Sequence, residues 1–210
     1  MKDKKVIAAT GVLVIFHAVG LFGLAFSRDP AWYRALTPLN LLLTLGILFS
    51  FHQTWNKAFL VFSGLVLLTG FLVEVLGIHT GLLFGHYRYG AALGPKLWDV
   101  PLLIAGNWLL LVYVTGVLVQ ALPAPWWSKA LAAATLMVLL DMLIEPVAAV
   151  LDFWVWEGYH IPASNYWGWL GVGGLLQLYF QRAGFSRCNP LALVVYGLQV
   201  LFFLGLNFLL

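Results

Sequence analysis

LMVLLDMLIEPVAAVLDFWVWE, residues 136–157, is an apolar run of membrane-spanning length that carries Asp141 and Glu145 inside it and Asp152 near its end. At about 100° per residue the three acids fall near 0°, 40° and 20°, so the pattern predicts a helix with one narrow acidic face. A central acid costs roughly 2.5 to 3.5 kcal/mol on insertion, and leucine neighbours at about −0.5 kcal/mol each offset that without solvating the carboxyls. The acids therefore call for a protein interior and for partners.

The composition agrees with that reading. Of 210 residues, 62% are hydrophobic and 9% charged, and the mean hydropathy is +0.94. These values describe an all-α, polytopic integral membrane bundle of about seven transmembrane helices, one domain over residues 1–210. A net charge of +3 and a pI near 9.1 raise nucleic acid as a partner, but the basic residues are scattered between apolar runs and form no patch, so nucleic acid is excluded. The single cysteine, Cys188, excludes an internal disulfide and a cysteine metal cage.

Seven spans are predicted: 6–26, 38–51, 58–77, 100–120, the acidic run itself, 167–180 and 190–210. The first is longer than a signal-peptide core and lacks a small-x-small cleavage site, so it is expected to remain as a span. Alternate loops place Lys2, Lys4, Lys5, Lys57, Lys129, Arg182 and Arg187 on one side, and Arg28, Arg34, Arg88 and Lys96 on the other. The positive-inside rule then puts the amino terminus inside and the carboxyl terminus outside, as in a bacterial cytoplasmic membrane. With that orientation Glu74, Asn107, Asp141 and Glu145 share the outer half of the bilayer with the polar loops 78–99 and 153–166. We expect one polar pocket there, built by spans three to six within residues 58–180, with spans one, two and seven as wall. The 78–99 loop is too polar to span and too apolar to be a free linker, so it is expected to re-enter or cap the bundle.

Each candidate has a plainer reading. Asp141 and Glu145 at four-residue spacing also suit a hydrogen-bonded pair that only fixes helix packing, and Glu74 suits a snorkelling side chain near the interface. Asp152 and Glu157 read as surface acids. His79, His86 and His160 fall short of the clustered histidines of a membrane di-iron site, so no metal is expected, and His79 and His86 read as substrate-side hydrogen-bonding residues. His17 and His52 show no polar company in the sequence. Asp141 and Glu145 make only half of an aspartate-rich magnesium-diphosphate site. The seventh span has no lysine for a Schiff base, which excludes a rhodopsin of the microbial type. Trp154 and Trp156 suit an interface belt, or a channel that takes a flat polyene or stabilises a cation.

Four ordered segments, GFLVEVLGIHTGLLFGHYRYG from Gly70, LGPKLWDVPLLIAGNW ending at Trp108, LLDMLIEPVAAVLDFWVWE, and IPASNYWGWL from Ile161, resemble the membrane carotenoid biosynthesis family. Its characterised members are carotenoid 1,2-hydratases of the γ-carotene and bisanhydrobacterioruberin type, and the likeness covers roughly residues 59–180. It implies a hydro-lyase that adds water to the terminal C1,C2 double bond of an acyclic carotenoid. Carotenoid, water and membrane lipids are then the partners, with room for association with other carotenoid enzymes.

The residues suit that chemistry on their own. Hydrating a trisubstituted alkene takes a proton donor, a shielded tertiary cation and one positioned water, and no cofactor. A carboxylic acid in a low-dielectric site can donate the proton, and a second carboxylate can accept one from water. The expected catalytic groups are Asp141, Glu145 and Glu74, with Asp141 or Glu145 as the acid. Asn107 is expected to hold the water with Glu74, and Tyr87, Trp154 or Trp156 to flank the cation. Asn165 is expected on the substrate or water side. Two other readings remain: a carotenoid end-group cyclase beginning with the same protonation, and a non-catalytic carotenoid or quinone binder.

Overall fold

The computed structural model describes residues 2–210. Its helices are α1 (Lys2–Phe26), the short α2 (Pro30–Ala35), α3 (Thr37–Ser50), α4 (Lys57–Thr80), α5 (Leu103–Leu118), α6 (Trp126–Ala148), α7 (Ala163–Arg182) and α8 (Ala192–Leu209). Six segments are long and apolar enough to cross a membrane: α1, α2 with α3, α4, α5 with the turn that extends it, α6, and α8. The predicted sixth span, α7, is a 20-residue helix outside that set, because Asn165, Gln177, Gln181 and its glycines lower its hydropathy; it buries those three amides. It packs chiefly against α6, which completes a bundle of six apolar helices and one polar-lined one. Exposed Ile7, Ile15 and Phe22 on α1 and Leu193, Leu201 and Leu204 on α8 face outward, where lipid tails are as apolar as they are.

Local chemistry sets the helix ends. Asp29 accepts from Trp32 N at 3.3 Å ahead of α2, whose first position is proline. Asn56 accepts from Phe59 N at 2.9 Å to start α4, and Gly81, left-handed at φ 68°, ends it.

The acidic helix departs from its predicted extent. α6 ends at Ala148 instead of running on to Glu157. Phe153 N donates to Ala148 O at 2.9 Å and Asp152 N to Ala149 O at 3.2 Å, with Asp152 left-handed at φ 58°, a Schellman stop with aspartate where glycine is usual. Asp152 is therefore off the acidic face. Its carboxylate accepts from Ala91 N at 2.8 Å and ties the two polar loops together.

Those loops hold the only non-helical order among the described residues. β1 (Tyr87–Tyr89) pairs antiparallel with β4 (Trp154–Trp156), Tyr87 opposite Trp156 and Tyr89 opposite Trp154. β2 (Lys96–Leu97) pairs with β3 (Val100–Pro101) across a two-residue turn with Trp98 and Asp99 both at positive φ, the geometry that matches strand twist. An all-helical reading missed both ribbons. Within the 78–99 loop, β1 pairs with β4 and the ribbon lies over one end of the bundle.

At the opposite end His52 does have polar company. Its Nδ1 pairs with the Tyr113 hydroxyl at 2.8 Å and its Nε2 donates to Thr54 O at 2.9 Å. Asn189 donates to Leu48 O at 2.8 Å and to the same hydroxyl at 3.3 Å. The clasp joins α3, α5 and the approach to α8.

Candidate functional site

The β1·β4 ribbon and four helices enclose one acidic chamber. Successive residues of a strand point to opposite faces, so Tyr87, Tyr89, Trp154 and Trp156 project from one face of the ribbon while Arg88 and Val155 take the other. Each inward residue has an apolar ring and a polar tip. Beneath them lie Glu74 from α4, Asn107 and Trp108 from α5, Asp141 and Glu145 from α6, and Asn165 and Trp169 from α7, around a cavity of about 30 Å³.

The three carboxyls are buried, at 3% exposure for Glu74, 2% for Asp141 and 5% for Glu145, but they are not equivalently held. Glu74 Oε2 accepts from the hydroxyls of Tyr87 and, at 2.9 Å, Tyr89. Its Oε1 accepts from Trp108 Nε1 at 2.9 Å. Glu145 Oε2 accepts from Trp156 Nε1 at 2.7 Å and Trp154 Nε1 at 3.1 Å, and its Oε1 from Asn165 Nδ2 at 3.0 Å. Asp141 has one partner among the described residues, Asn165 Nδ2 at 2.7 Å from Oδ2. One amide thus bridges two acids a helical turn apart, and Asp141 keeps an oxygen free of protein donors.

Burial and the Glu74 charge push the Tyr87 and Tyr89 phenols well above their ordinary range, so both remain neutral O–H donors. Trp108 stacks on Trp169 with centroids 4.2 Å apart and planes at 6°. It can sit so close to α4 because residue 70 is glycine: a Cβ there would lie 2.5 Å from Trp108 Cβ. Gly70 is one turn before Glu74, which is how α5 brings its indole N–H onto that acid.

A second, larger cavity of about 210 Å³ adjoins the chamber. It runs between α1, α3, α5, α6 and α8, among side chains such as Leu24, Leu41, Leu111, Leu140 and Phe202. Ile104, Asn107 and Trp154 line both spaces and form the boundary between them. The first, second and last predicted spans, expected mostly as wall, thus line the principal apolar cavity, because α1, α3 and α8 leave a gap against α5 and α6.

Of the residues expected at the site, Glu74, Asp141, Glu145, Asn107, Tyr87, Trp154, Trp156 and Asn165 meet at the chamber. His79 and His86 do not. His79, in the last turn of α4, is exposed, and His86, just before β1, is exposed beside a surface cleft with Arg88, Glu157 and Tyr159. Helical periodicity carries His79 away from Glu74, and the strand turns His86 out. Glu157 and His160 are likewise exposed. Tyr89, Trp108, Trp169 and Phe84 line the chamber unanticipated. Two signals for them were present: Tyr89 is two residues from Tyr87 on a strand face, and Trp169 is four residues from Asn165 on a helix face.

Bisanhydrobacterioruberin hydratase of Haloarcula japonica is 34% identical to this chain over 127 residues. The match takes in 55% of this chain and 43% of that protein, so less than half of the relative's length is represented. No solved structure matches. Residues 36–210, which hold every residue of the acidic chamber, match the family described as carotenoid biosynthesis protein. With six helices of membrane-crossing length and apolarity, the chain is an integral membrane protein and belongs to the carotenoid biosynthesis protein family.

Proposed function

We propose that this chain is a carotenoid 1,2-hydratase that adds water to the terminal C1,C2 double bond of an acyclic carotenoid end group. The observation that carries the reading is the pairing of two spaces: an acidic chamber with room for about one water and an apolar cavity that meets it at Ile104, Asn107 and Trp154. The polyene lies in the apolar cavity and its end group reaches the boundary. The hydratase named among the relatives supports the reaction class.

Asp141 is the proton donor in this scheme, since its spare oxygen can carry a proton that no protein donor opposes. Its proton goes to C2, the π pair forms the C2–H bond, and a tertiary cation is left at C1. The rings of Tyr87, Tyr89, Trp154 and Trp156 face that cation, and a π face attracts positive charge. A water held by Asn107 and Glu74 attacks C1, and its proton passes to Glu145. The Asp141–Glu145 pair enters and leaves the cycle with one proton, so the product gains H and OH and no cofactor takes part. Glu74, already accepting three hydrogen bonds, supplies the fixed negative charge. Room for water beside the acids favours water capture over ring closure.

The chamber is proposed to face the outer leaflet of a bacterial cytoplasmic membrane, because the basic residues cluster at the opposite end of the helices. The test is expression in cells that make lycopene, with pigment masses measured. One added water per reacted end supports hydration, an isomer of unchanged mass means cyclisation, and unaltered pigment means a binder. Asp141→Asn should abolish conversion while pigment binding persists; full conversion by that variant would end Asp141's role as acid.

A further inference from the structure

We propose that the apolar cavity contains a second polar station, Gln199 with Asn40 and His17, that binds an O–H group of the isoprenoid ligand at a distance from the reacting bond. The inference rests on the cavity's role as the polyene site, and it adds a recognition element that hydrating a hydrocarbon end does not require.

The station stands out because its acceptors have no protein partner. Gln199 is 9% exposed, and its Oε1 is buried and accepts no hydrogen bond from any described residue. The same holds for Asn40 Oδ1. Both residues line the large cavity, as does His17. His17 Nδ1 lies 2.9 Å from Leu13 O; a carbonyl only accepts, so Nδ1 carries the proton and Nε2 is a third acceptor. The neighbouring Thr44 hydroxyl is committed to Asn40 O at 2.8 Å. Two unpartnered acceptors and the His17 nitrogen, on residues of three helices that line one apolar cavity, call for a donor, since buried polar atoms are rarely left unpaired.

Depth sets what kind of donor fits. Asn207 on α8 donates to Leu143 O at 2.7 Å, which puts that part of α8 level with Asp141 and Glu145. Gln199 is two turns earlier on the same helix, about 12 Å deeper at 1.5 Å per residue. A ligand bridging the station and the chamber is therefore an acyclic isoprenoid with an alkene at one end and a hydroxyl several carbons away. A water held at the station and touching the ligand has the same donor chemistry, and the two sources are separable.

The test is equilibrium binding to the full-length purified protein, read by isothermal titration calorimetry, with farnesol and β-farnesene as a matched alcohol and hydrocarbon. Gln199→Met keeps the side-chain volume and removes the amide. A substrate hydroxyl predicts farnesol bound about five- to tenfold tighter than β-farnesene, with the preference lost in Gln199→Met. A station water predicts equal affinities in the native protein and an equal loss for both in the variant. Unchanged affinities in Gln199→Met, or no binding of either probe, overturn the proposal. Asn40→Leu repeats the comparison should Gln199→Met melt early. The readout needs no turnover, so selective farnesol binding by a protein that hydrates nothing keeps the station and removes only the hydratase reading.

Discussion

Asn165 Nδ2 stands 2.7 Å from Asp141 Oδ2 while also reaching Glu145, so the first turn of α7 positions the acid pair of α6. Two carboxyls one turn apart repel when both are charged, and the shared amide is what holds them in one geometry. Replacing Asn165 by Leu is expected to cut conversion about 10²-fold, the scale of losing a preorganised donor. Product yield normalised to the amount of folded protein checks this.

Trp108 is a test of the Glu74 anchor. Trp108→Phe keeps the ring against Trp169 and deletes one of the three donors to a buried carboxylate. The expected cost is about 1–3 kcal/mol, seen as a melting temperature lower by several degrees in detergent. A melting curve identical to the native one would mean that Glu74 does not depend on this donor.

Gly70 tests the close approach that makes the anchor possible. Even a Cβ at this position meets Trp108, so Gly70→Ala should cost about 1–3 kcal/mol by overpacking and lower conversion, because the indole N–H moves off Glu74. Thermal melting and pigment analysis of the same preparation read both effects.

The boundary between the two cavities gives a test of the route. Ile104→Trp adds bulk where the spaces meet. Pigment should still co-purify with the variant, by absorbance, while hydrated product falls below detection. Unimpaired hydration would mean that the end group reaches the acids another way.

His52 predicts a pH dependence at the far end of the bundle. Burial pulls its imidazole below the ordinary 6.5, against a smaller opposing effect of the Thr54 carbonyl. The unfolded chain therefore binds the proton more readily than the folded one, so stability is full above about pH 6.5 and falls as the pH drops through the folded value. Melting temperatures from pH 8 down to pH 5 should decline, and His52→Gln should flatten that slope.

The apolar periodicity of the chain was enough to establish a membrane bundle, because spans of this length and hydropathy have no other stable solution in lipid. Asp141 and Glu145 were legible as a pair because four-residue spacing fixes a shared helix face whatever the tertiary context. The end of α6 was not: a left-handed aspartate leaves no periodic signal, and the Ala91 N–H that holds its carboxylate comes from 61 residues away. The β1·β4 ribbon was hidden for the same reason, since three-residue strands are too short to alternate visibly. Only the tertiary structure turns His79 and His86 outward, brings Tyr89 and Trp108 onto Glu74, and opens the apolar cavity between α1, α3 and α8. Partners so far apart in sequence are chosen by packing, which no single segment encodes.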